Sequence, residues 1–149
     1  MKKILTFIVN QEQKILLLHN NFDDLSHGGD IWYTVTGAVE KDDIDIYETV
    51  KREVKEETNL NVINSMYLNV ILKYTNKGNL CKEYVFISFV DNNEIVLNEE
   101  NTEFLWLDIN EFLSLCYWYY DKEMLNKILT YAMNKELYYL EEKEFSFEE

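Results

Sequence analysis

The stretch from Gly37 to Leu60, GAVEKDDIDIYETVKREVKEETNL, determines the arrangement that we expect for the rest of the chain. Asp45, with Glu48 three residues later, forms a capping box, a pattern that satisfies free backbone N–H groups where a helix starts. A helix is therefore predicted over Ile46–Thr58. Asn59 is predicted to end it, because asparagine tolerates the left-handed backbone conformation that follows a helix.

Three glutamates recur along the predicted helix. Glu53, Glu56 and Glu57 are spaced i, i+3 and i+4, so their side chains share one face. Such like charges repel by about 0.2–0.5 kcal/mol per solvated pair, and a bound cation would relieve the repulsion. Carboxylate oxygens suit Mg²⁺ or Mn²⁺, whereas the alternative is a solvated acidic face. An apolar stripe adjoins this face and consists of Tyr47, Val50 and Val54.

The stretch resembles the signature of the Nudix hydrolase family. That signature is Gly, five residues, Glu, seven residues, then Arg-Glu-apolar-x-Glu-Glu-x-Gly-apolar. Gly37 and Asp43 match its first half in spacing. The second half is matched without a gap by Arg52, Glu53, Val54, Glu56, Glu57 and Leu60.

Three departures from the signature are present. Asp43 stands where Glu is usual, eight residues rather than seven separate it from Arg52, and Asn59 replaces the closing Gly. The asparagine suits the end of a helix, and the extra residue falls in a loop that can accommodate it. The aspartate is shorter by one methylene, so its carboxyl group reaches less far than that of the usual glutamate.

The only arginine of the chain lies in this stretch, whereas the whole chain has thirteen lysines. Arginine offers a planar fork that can hold a carboxylate through two bonds, which lysine cannot do. In the family, the arginine at the position of Arg52 braces the loop before the helix through a carboxylate. Asp43 or Glu40 is the expected partner here. The alternative is an ordinary surface arginine paired with Glu56.

The resemblance implies a chemistry and a set of site residues. Water attacks phosphorus in a nucleoside diphosphate linked to another group, with divalent cations held at the motif helix. Carried over by position, the metal ligands are Glu53, Glu56, Glu57 and the carbonyl of Gly37. Glu57 is also the expected partner of the attacking water.

Two further candidates lie outside the motif. A late carboxylate before a Trp often completes the family's site, and Glu103 in Glu-Phe-Leu-Trp is the best match, with Glu99 and Glu100 as alternatives. Trp32 is where the family commonly has a Trp before the motif glycine, which makes it a candidate substrate contact. The competing interpretation is that the glutamates are only exposed and that the tryptophan only packs.

Composition limits the classes of partner. The 149 residues fit one domain, 1–149, and carry a formal net charge of -14 without a basic cluster, so neither nucleic acid nor an anionic membrane is expected as a partner. Cys81 and Cys116 have no metal-binding spacing and are expected to be reduced. The opening MKKILTFIV lacks a cleavage site of small residues. We therefore expect a soluble, cytoplasmic protein.

The pattern of elements predicts an α/β fold, the Nudix-type α/β/α sandwich with a mixed sheet between helices. A loop is predicted over Asn20–Asp30 and a frayed acidic end over Glu141–Glu149. Two more helices are expected, the first capped by Asp108 and the second carrying Leu125, Ile128, Leu129 and Ala132. Strands are predicted over Ile4–Val9, Lys14–His19, Ile31–Val35, Met66–Tyr74, Tyr84–Val90, Glu94–Leu97 and Glu103–Leu107.

The function predicted from the resemblance is that of a Mg²⁺- or Mn²⁺-dependent hydrolase of small nucleoside diphosphate derivatives, with (d)NTP pyrophosphohydrolysis leading. The alternative is a non-catalytic nucleotide-binding module of the same fold, and a homodimer is left open. Neither His19 nor His27 has a metal-ligand spacing. The aromatic run Tyr117–Tyr120 is interpreted as packing, with base stacking as the alternative.

Overall fold

A computed structural model describes residues 1–20, 31–118, 120–136 and 141–147. The strands are β1 (Lys2–Val9), β2 (Ile15–Asn20), β3 (Trp32–Tyr33), β4 (Val35–Ala38), β5 (Val62–Asn76), β6 (Asn79–Val90), β7 (Asn101–Leu107) and β8 (Lys143–Ser146). The helices are α1 (Ile46–Thr58), α2 (Ile109–Leu115) and α3 (Lys122–Met133). Apart from Asn20, the predicted loop lies outside the described residues, and so does His27.

The sheet is mixed, as predicted. Its strands follow the order β3-β2-β1-β6-β5-β8, with β4 also paired to β1 and β7 to β2. Strand β1 is central, because it runs parallel to β6 along its whole length and antiparallel to β4. The pairing of Ile4 with Gly37 brings the start of the motif to the middle of the fold.

Alternation along β1 divides the core into two layers. Leu5 and Phe7 face the side on which α2 and α3 pack, where Leu129 is fully buried. Ile4 and Ile8 face the opposite side, where α1 packs. This arrangement confirms the predicted α/β/α sandwich.

Helix α1 has the predicted bounds because both of its ends are capped. The side chain of Asp45 accepts a hydrogen bond from the backbone N–H of Glu48 at 2.9 Å. Asn59 adopts φ 68, and its N–H donates to the carbonyl of Lys55 at 3.0 Å. In the predicted stripe Val50 and Val54 are fully buried, whereas Tyr47 is 43% exposed.

The predicted strand over Glu94–Leu97 is wrong. The N–H of Val96 donates to the carbonyl of Thr58 at 3.0 Å, and the side-chain amide of Asn59 donates to the carbonyl of Glu94 at 3.0 Å. The segment therefore satisfies backbone groups at the end of α1 instead of joining a sheet.

The prediction of a frayed acidic end is also wrong for residues 143–146, which form β8 and pair in parallel with β5. Phe145 packs against the core, and Lys73 forms an ion pair of 2.6 Å with Glu144. The apolar ring anchors a segment whose charge alone favoured disorder.

The remaining elements agree with the predictions except in detail. The predicted strand over Ile31–Val35 is interrupted at Thr34, which separates β3 from β4, while β5 and β6 extend to a turn at Lys77 and Gly78. Cys81 and Cys116 are free and buried. No helix within the described residues is long and apolar enough to cross a membrane.

Candidate active site

Arg52 holds the loop before α1 through Asp43, as predicted. Its Nε donates to Oδ1 of Asp43 and its Nη2 to Oδ2, both at 3.0 Å, which is the two-bond geometry that a guanidinium allows. Nη2 also donates to the carbonyl of Ala38 at 3.0 Å, whereas Nη1 lies 3.4 Å from Oε1 of Glu40. The shorter aspartate therefore reaches its partner in spite of the missing methylene.

Asp43 is held from other directions as well. Its Oδ2 accepts hydrogen bonds of 2.8 Å from the backbone N–H of Glu40 and from the hydroxyl of Thr49. The hydrogen bonds from Arg52, and then the one from Glu40, hold the pKa of Asp43 well below its usual range. The loop thus has a fixed, charged anchor at neutral pH.

We predict that Arg52→Lys lowers turnover while a divalent cation still binds. Lysine keeps the positive charge but loses the two-bond contact with Asp43 and the contact with Ala38, so the loop before α1 and the adjoining end of β4, which carries Gly37, shift. Turnover and metal titration of the same sample would separate the two effects. Unchanged turnover would show that the contacts of Arg52 do not affect hydrolysis.

Gly37 lies directly against Glu53. A Cβ added at Gly37 would overlap the Cγ, Cδ and Oε1 atoms of the glutamate, so only glycine fits here without moving that side chain. Arg52 donates from Nη1 to Oε1 of Glu53 at 2.9 Å. The glutamate is therefore positioned by strand β4 on one side and by the arginine on the other.

The three motif glutamates have different environments. Glu57 is only 5% exposed, and its Oε2 is buried without a hydrogen-bond partner among the described residues. The side chain of Glu53 is 13% exposed and that of Glu56 is 53% exposed. The exposure of the three side chains on the predicted shared face therefore increases from Glu57 through Glu53 to Glu56.

Burial raises the pKa of Glu57 to about 10, and the negative charge of Glu100 contributes next. Burial also raises the pKa of Glu53. A carboxylate that is desolvated beside other carboxylates is stable in its charged form only if a cation joins it. The unpartnered oxygen of Glu57 thus fits a divalent metal better than it fits a solvated acidic face.

The donor set fits a hard cation but does not enclose one. In the described part of the chain, no three His, Cys, Asp or Glu side chains are arranged to hold a metal ion by themselves. Mg²⁺ usually keeps several waters and binds substrate phosphates through one or two carboxylates, so an open set is suitable. Glu53, Glu56, Glu57 and the Gly37 carbonyl remain the expected ligands.

A cleft of about 610 Å³ opens beside these residues, within the usual range for small-molecule sites. Gly37, Glu53 and Glu57 line it, together with Glu100 and Asn101. Glu100 is close enough for its charge to raise the pKa of Glu57. Of the three late carboxylates considered from the sequence, Glu100 is therefore the one that lies at the motif helix.

Glu103 and Trp32 do not line this cleft as the described residues define it. Glu103 lies on β7, where it pairs with Nδ1 of His19 at 2.9 Å and is 63% exposed. Trp32 stacks on the ring of His19, with 4.4 Å between ring centroids. The structure thus does not bring Glu103 to the motif glutamates, because its side chain pairs with His19 of the neighbouring strand β2.

Sequence reasoning missed a second polar group in the cleft. Glu83 is 4% exposed on β6, and its Oε2 accepts a hydrogen bond of 2.6 Å from the hydroxyl of Tyr74. Strand alternation could have indicated it, since Glu83 shares its face with the core residues Val85 and Ile87. Trp118 of the aromatic run is buried in the core, as predicted, whereas Tyr117 and Tyr120 line the cleft.

The comparisons with known proteins agree with this geometry. The sequence model of the NUDIX domain matches residues 2–128. No curated protein matches the chain significantly. The chain is similar to the solved structure of a MutT protein from Methanosarcina mazei Go1, with 18% identity, coverage of 91% of this chain and 94% of the other, and a TM-score of 0.67.

Two further solved structures are similar in fold. An Ap4A hydrolase from C. elegans, solved as a binary complex, is 16% identical, covers 90% of this chain and 96% of its own, and has a TM-score of 0.63. The NUDIX domain of Shewanella oneidensis NrtR, solved with ADP ribose, is 12% identical, with coverage of 89% and 88% and a TM-score of 0.68. Similarity at this level of identity concerns the fold alone.

Proposed function

Because the chain belongs to the Nudix hydrolase family, we propose that it is a metal-dependent hydrolase of small nucleoside diphosphate derivatives, with (d)NTPs as the leading substrates. The observation that carries the proposal is the buried, unpartnered oxygen of Glu57 beside Glu53 and Glu100. Burial of a carboxylate oxygen without a partner costs free energy, and a bound cation would compensate this cost.

The residues of the chain divide the work between binding and orientation. Glu53, Glu56, Glu57 and the carbonyl of Gly37 would hold Mg²⁺ or Mn²⁺, which supplies charge neutralisation on the phosphate oxygens and a more acidic water when bound. Glu57 orients the attacking water from its buried position. Arg52 and Asp43 keep the loop in place, so that Gly37 and Glu53 keep their positions relative to each other. Glu100, directly before β7, adds a further carboxyl group beside Glu57.

A panel of nucleotides tests the proposal. Each compound is incubated with Mg²⁺ or Mn²⁺ and scored separately for phosphate and for pyrophosphate, so that the cleaved bond is identified. We expect pyrophosphate from at least one (d)NTP. Release of neither product from any nucleoside diphosphate derivative would leave the chain without the proposed activity.

The alternative is a Nudix-fold module that binds a nucleotide without hydrolysing it. The NrtR domain bound to ADP ribose is an example of a nucleotide held by this fold. The departures at Asp43 and in the loop length motivated this alternative. The intact brace between Arg52 and Asp43 and the acidic residues in the cleft support the enzyme instead, since binding alone does not require them.

Divalent metal is expected to stabilise the folded chain. A ligand that binds only the folded state at a hundredfold excess over its Kd adds about 2.7 kcal/mol to the free energy of unfolding. The melting temperature should therefore rise with millimolar Mg²⁺ or Mn²⁺, and Glu57→Gln should lose most of that rise. Wild-type protein whose melting temperature is indifferent to both ions would favour the solvated acidic face.

Small nucleotides are expected to be better substrates than the 5′ end of an RNA. A long polyanion meets repulsion from a chain with a net charge of -14, and the sequence has no basic track at which counterion release could offset it. The value of kcat/KM for the best mononucleotide should depend weakly on salt. An RNA processed more efficiently than every mononucleotide at about 0.15 M salt would overturn this expectation.

A further inference from the structure

The cleft continues beyond the acidic residues of α1 to a second group of polar side chains. Lys3, Tyr33, Tyr74, Glu83 and Tyr120 line it there. These residues come from β1, β3, β5, β6 and the segment between α2 and α3. No residue of this group belongs to the motif, and the proposed hydrolysis gives none of them a task.

Glu83 is the unusual member of the group. It lies on the face of β6 that carries the buried residues Val85 and Ile87, next to Leu72 of β5 and Lys3 of β1 in the sheet register, and is 4% exposed. The hydroxyl of Tyr74 donates to its Oε2 at 2.6 Å, which fixes the carboxyl group. Burial raises the pKa of Glu83, whereas the hydrogen bond from Tyr74 and the charge of Lys3 oppose burial and favour the ionised form. The amino group of Lys3 lies over the ring of Tyr74, 5.7 Å from its centroid. Desolvation of a buried carboxyl group costs free energy. Hydrogen bonds from a ligand in the cleft would offset part of this cost.

Tyrosine rings surround this carboxyl group. Burial raises the pKa of Tyr33 and of Tyr120, and the charge of Glu83 raises both further, which places both hydroxyl groups near it. Tyr120 is itself supported by Phe145 of β8, with 5.6 Å between ring centroids. Aromatic side chains in the lining of the cleft around one fixed acceptor suit a planar heterocycle that presents N–H groups at its edge.

We propose that Glu83 is the specificity-determining residue of the cleft and accepts hydrogen bonds from the ring N–H and the exocyclic amino group of a guanine-type base. An ionised carboxylate only accepts hydrogen bonds, and the guanine edge offers two adjacent donors. Uracil and thymine offer one donor between two carbonyl oxygens, while adenine and cytosine place an acceptor beside their amino group. This inference rests on the proposed function, because it assigns the base end of a nucleotide whose phosphates lie at Glu53 and Glu57.

Nucleoside binding without metal tests the inference independently of hydrolysis. Ligand-observed NMR in EDTA gives the dissociation constants of guanosine, inosine, adenosine and uridine. A hydrogen bond to a charged group corresponds to about 10- to 100-fold in affinity, so guanosine should bind at least tenfold more tightly than inosine, which lacks the amino group. Equal affinities for the four nucleosides would overturn the assignment.

Glu83→Gln provides the second readout, because glutamine keeps the shape but places a donor where the second base donor arrives. The variant should lose the tenfold guanosine preference and leave uridine binding unchanged, while Glu12→Gln in the exposed β1–β2 turn should change neither. A folded Glu83→Gln protein that retains the preference would contradict the inference. If the variant does not fold, the guanosine and inosine values of the wild type decide. Absence of nucleotide hydrolysis with Mg²⁺ would contradict the proposed function instead, since this binding assay needs no turnover.

Discussion

Glu57→Gln is expected to lower turnover by about 10³-fold or more, with Glu53→Gln similarly affected, because each change removes a charge from the metal site at nearly constant size. Glu57 is the more informative of the two, since its Oε2 has no partner among the described residues and its environment disfavours a bare charge. The measurement is kcat with saturating Mg²⁺ on the best nucleotide of the panel.

Two variants on the same helix serve as controls. Glu56→Gln should have a smaller effect, because that side chain is 53% exposed. Glu48→Gln, in the first turn of α1, should leave kcat unchanged. Because burial raises the pKa of Glu57 to about 10, the carboxylate must take up a proton on folding at neutral pH without metal. Glutamine avoids this cost, so the melting temperature without metal should not fall. Full activity in both Glu53→Gln and Glu57→Gln would remove these residues from the site.

Gly37→Ala is expected to lower turnover by about 10²-fold, because the new Cβ takes the space of the Glu53 carboxyl group. Displacement of a catalytic group by about 1 Å costs this much in comparable cases. The prediction is checked by kcat together with the melting temperature, which separates a moved side chain from a damaged fold.

A double variant identifies the cause of that loss. If overlap with Glu53 is responsible, Gly37→Ala adds little further loss to a Glu53→Ala protein, because the obstructing side chain is then absent. Additive losses in the two variants would instead indicate that Gly37 acts through its own backbone and not through Glu53.

Local signals predicted α1 well. Asp45 and Asn59 cap it at the predicted positions because caps depend on residues that are neighbours in the sequence. The pairing of Arg52 with Asp43 was also accessible, since both lie in one short stretch and the chain has one arginine. Whether the shorter aspartate reaches Arg52 depends on the position of the loop relative to the helix, which a local sequence pattern does not give.

The wrong predictions concern segments whose backbone is engaged by a part of the chain that is distant in the sequence. Residues 94–97 have a strand-like pattern, but the free carbonyl of Thr58 and the amide of Asn59 engage their backbone. Residues 143–146 are rich in charge, but one ring, Phe145, anchors them beside β5. Neither partner is near in sequence, so neither contact could be read from a local pattern.

The late carboxylate illustrates the same limit within the site. Glu103 precedes a tryptophan as the family pattern requires, yet its side chain pairs with His19 across the sheet. Glu100, three residues earlier, reaches the cleft beside Glu57. Which of several nearby glutamates faces the site depends on where β7 begins and on its register with β2, and the sequence leaves both open.

Removal of divalent cations tests the central claim most directly, namely that the glutamates of α1 hold a metal that hydrolysis requires. Wild-type protein is assayed on its best nucleotide with excess EDTA and again after Mg²⁺ or Mn²⁺ is restored. Hydrolysis should fall to the uncatalysed rate in EDTA and return with the metal. Hydrolysis that continues undiminished in EDTA would contradict the claim.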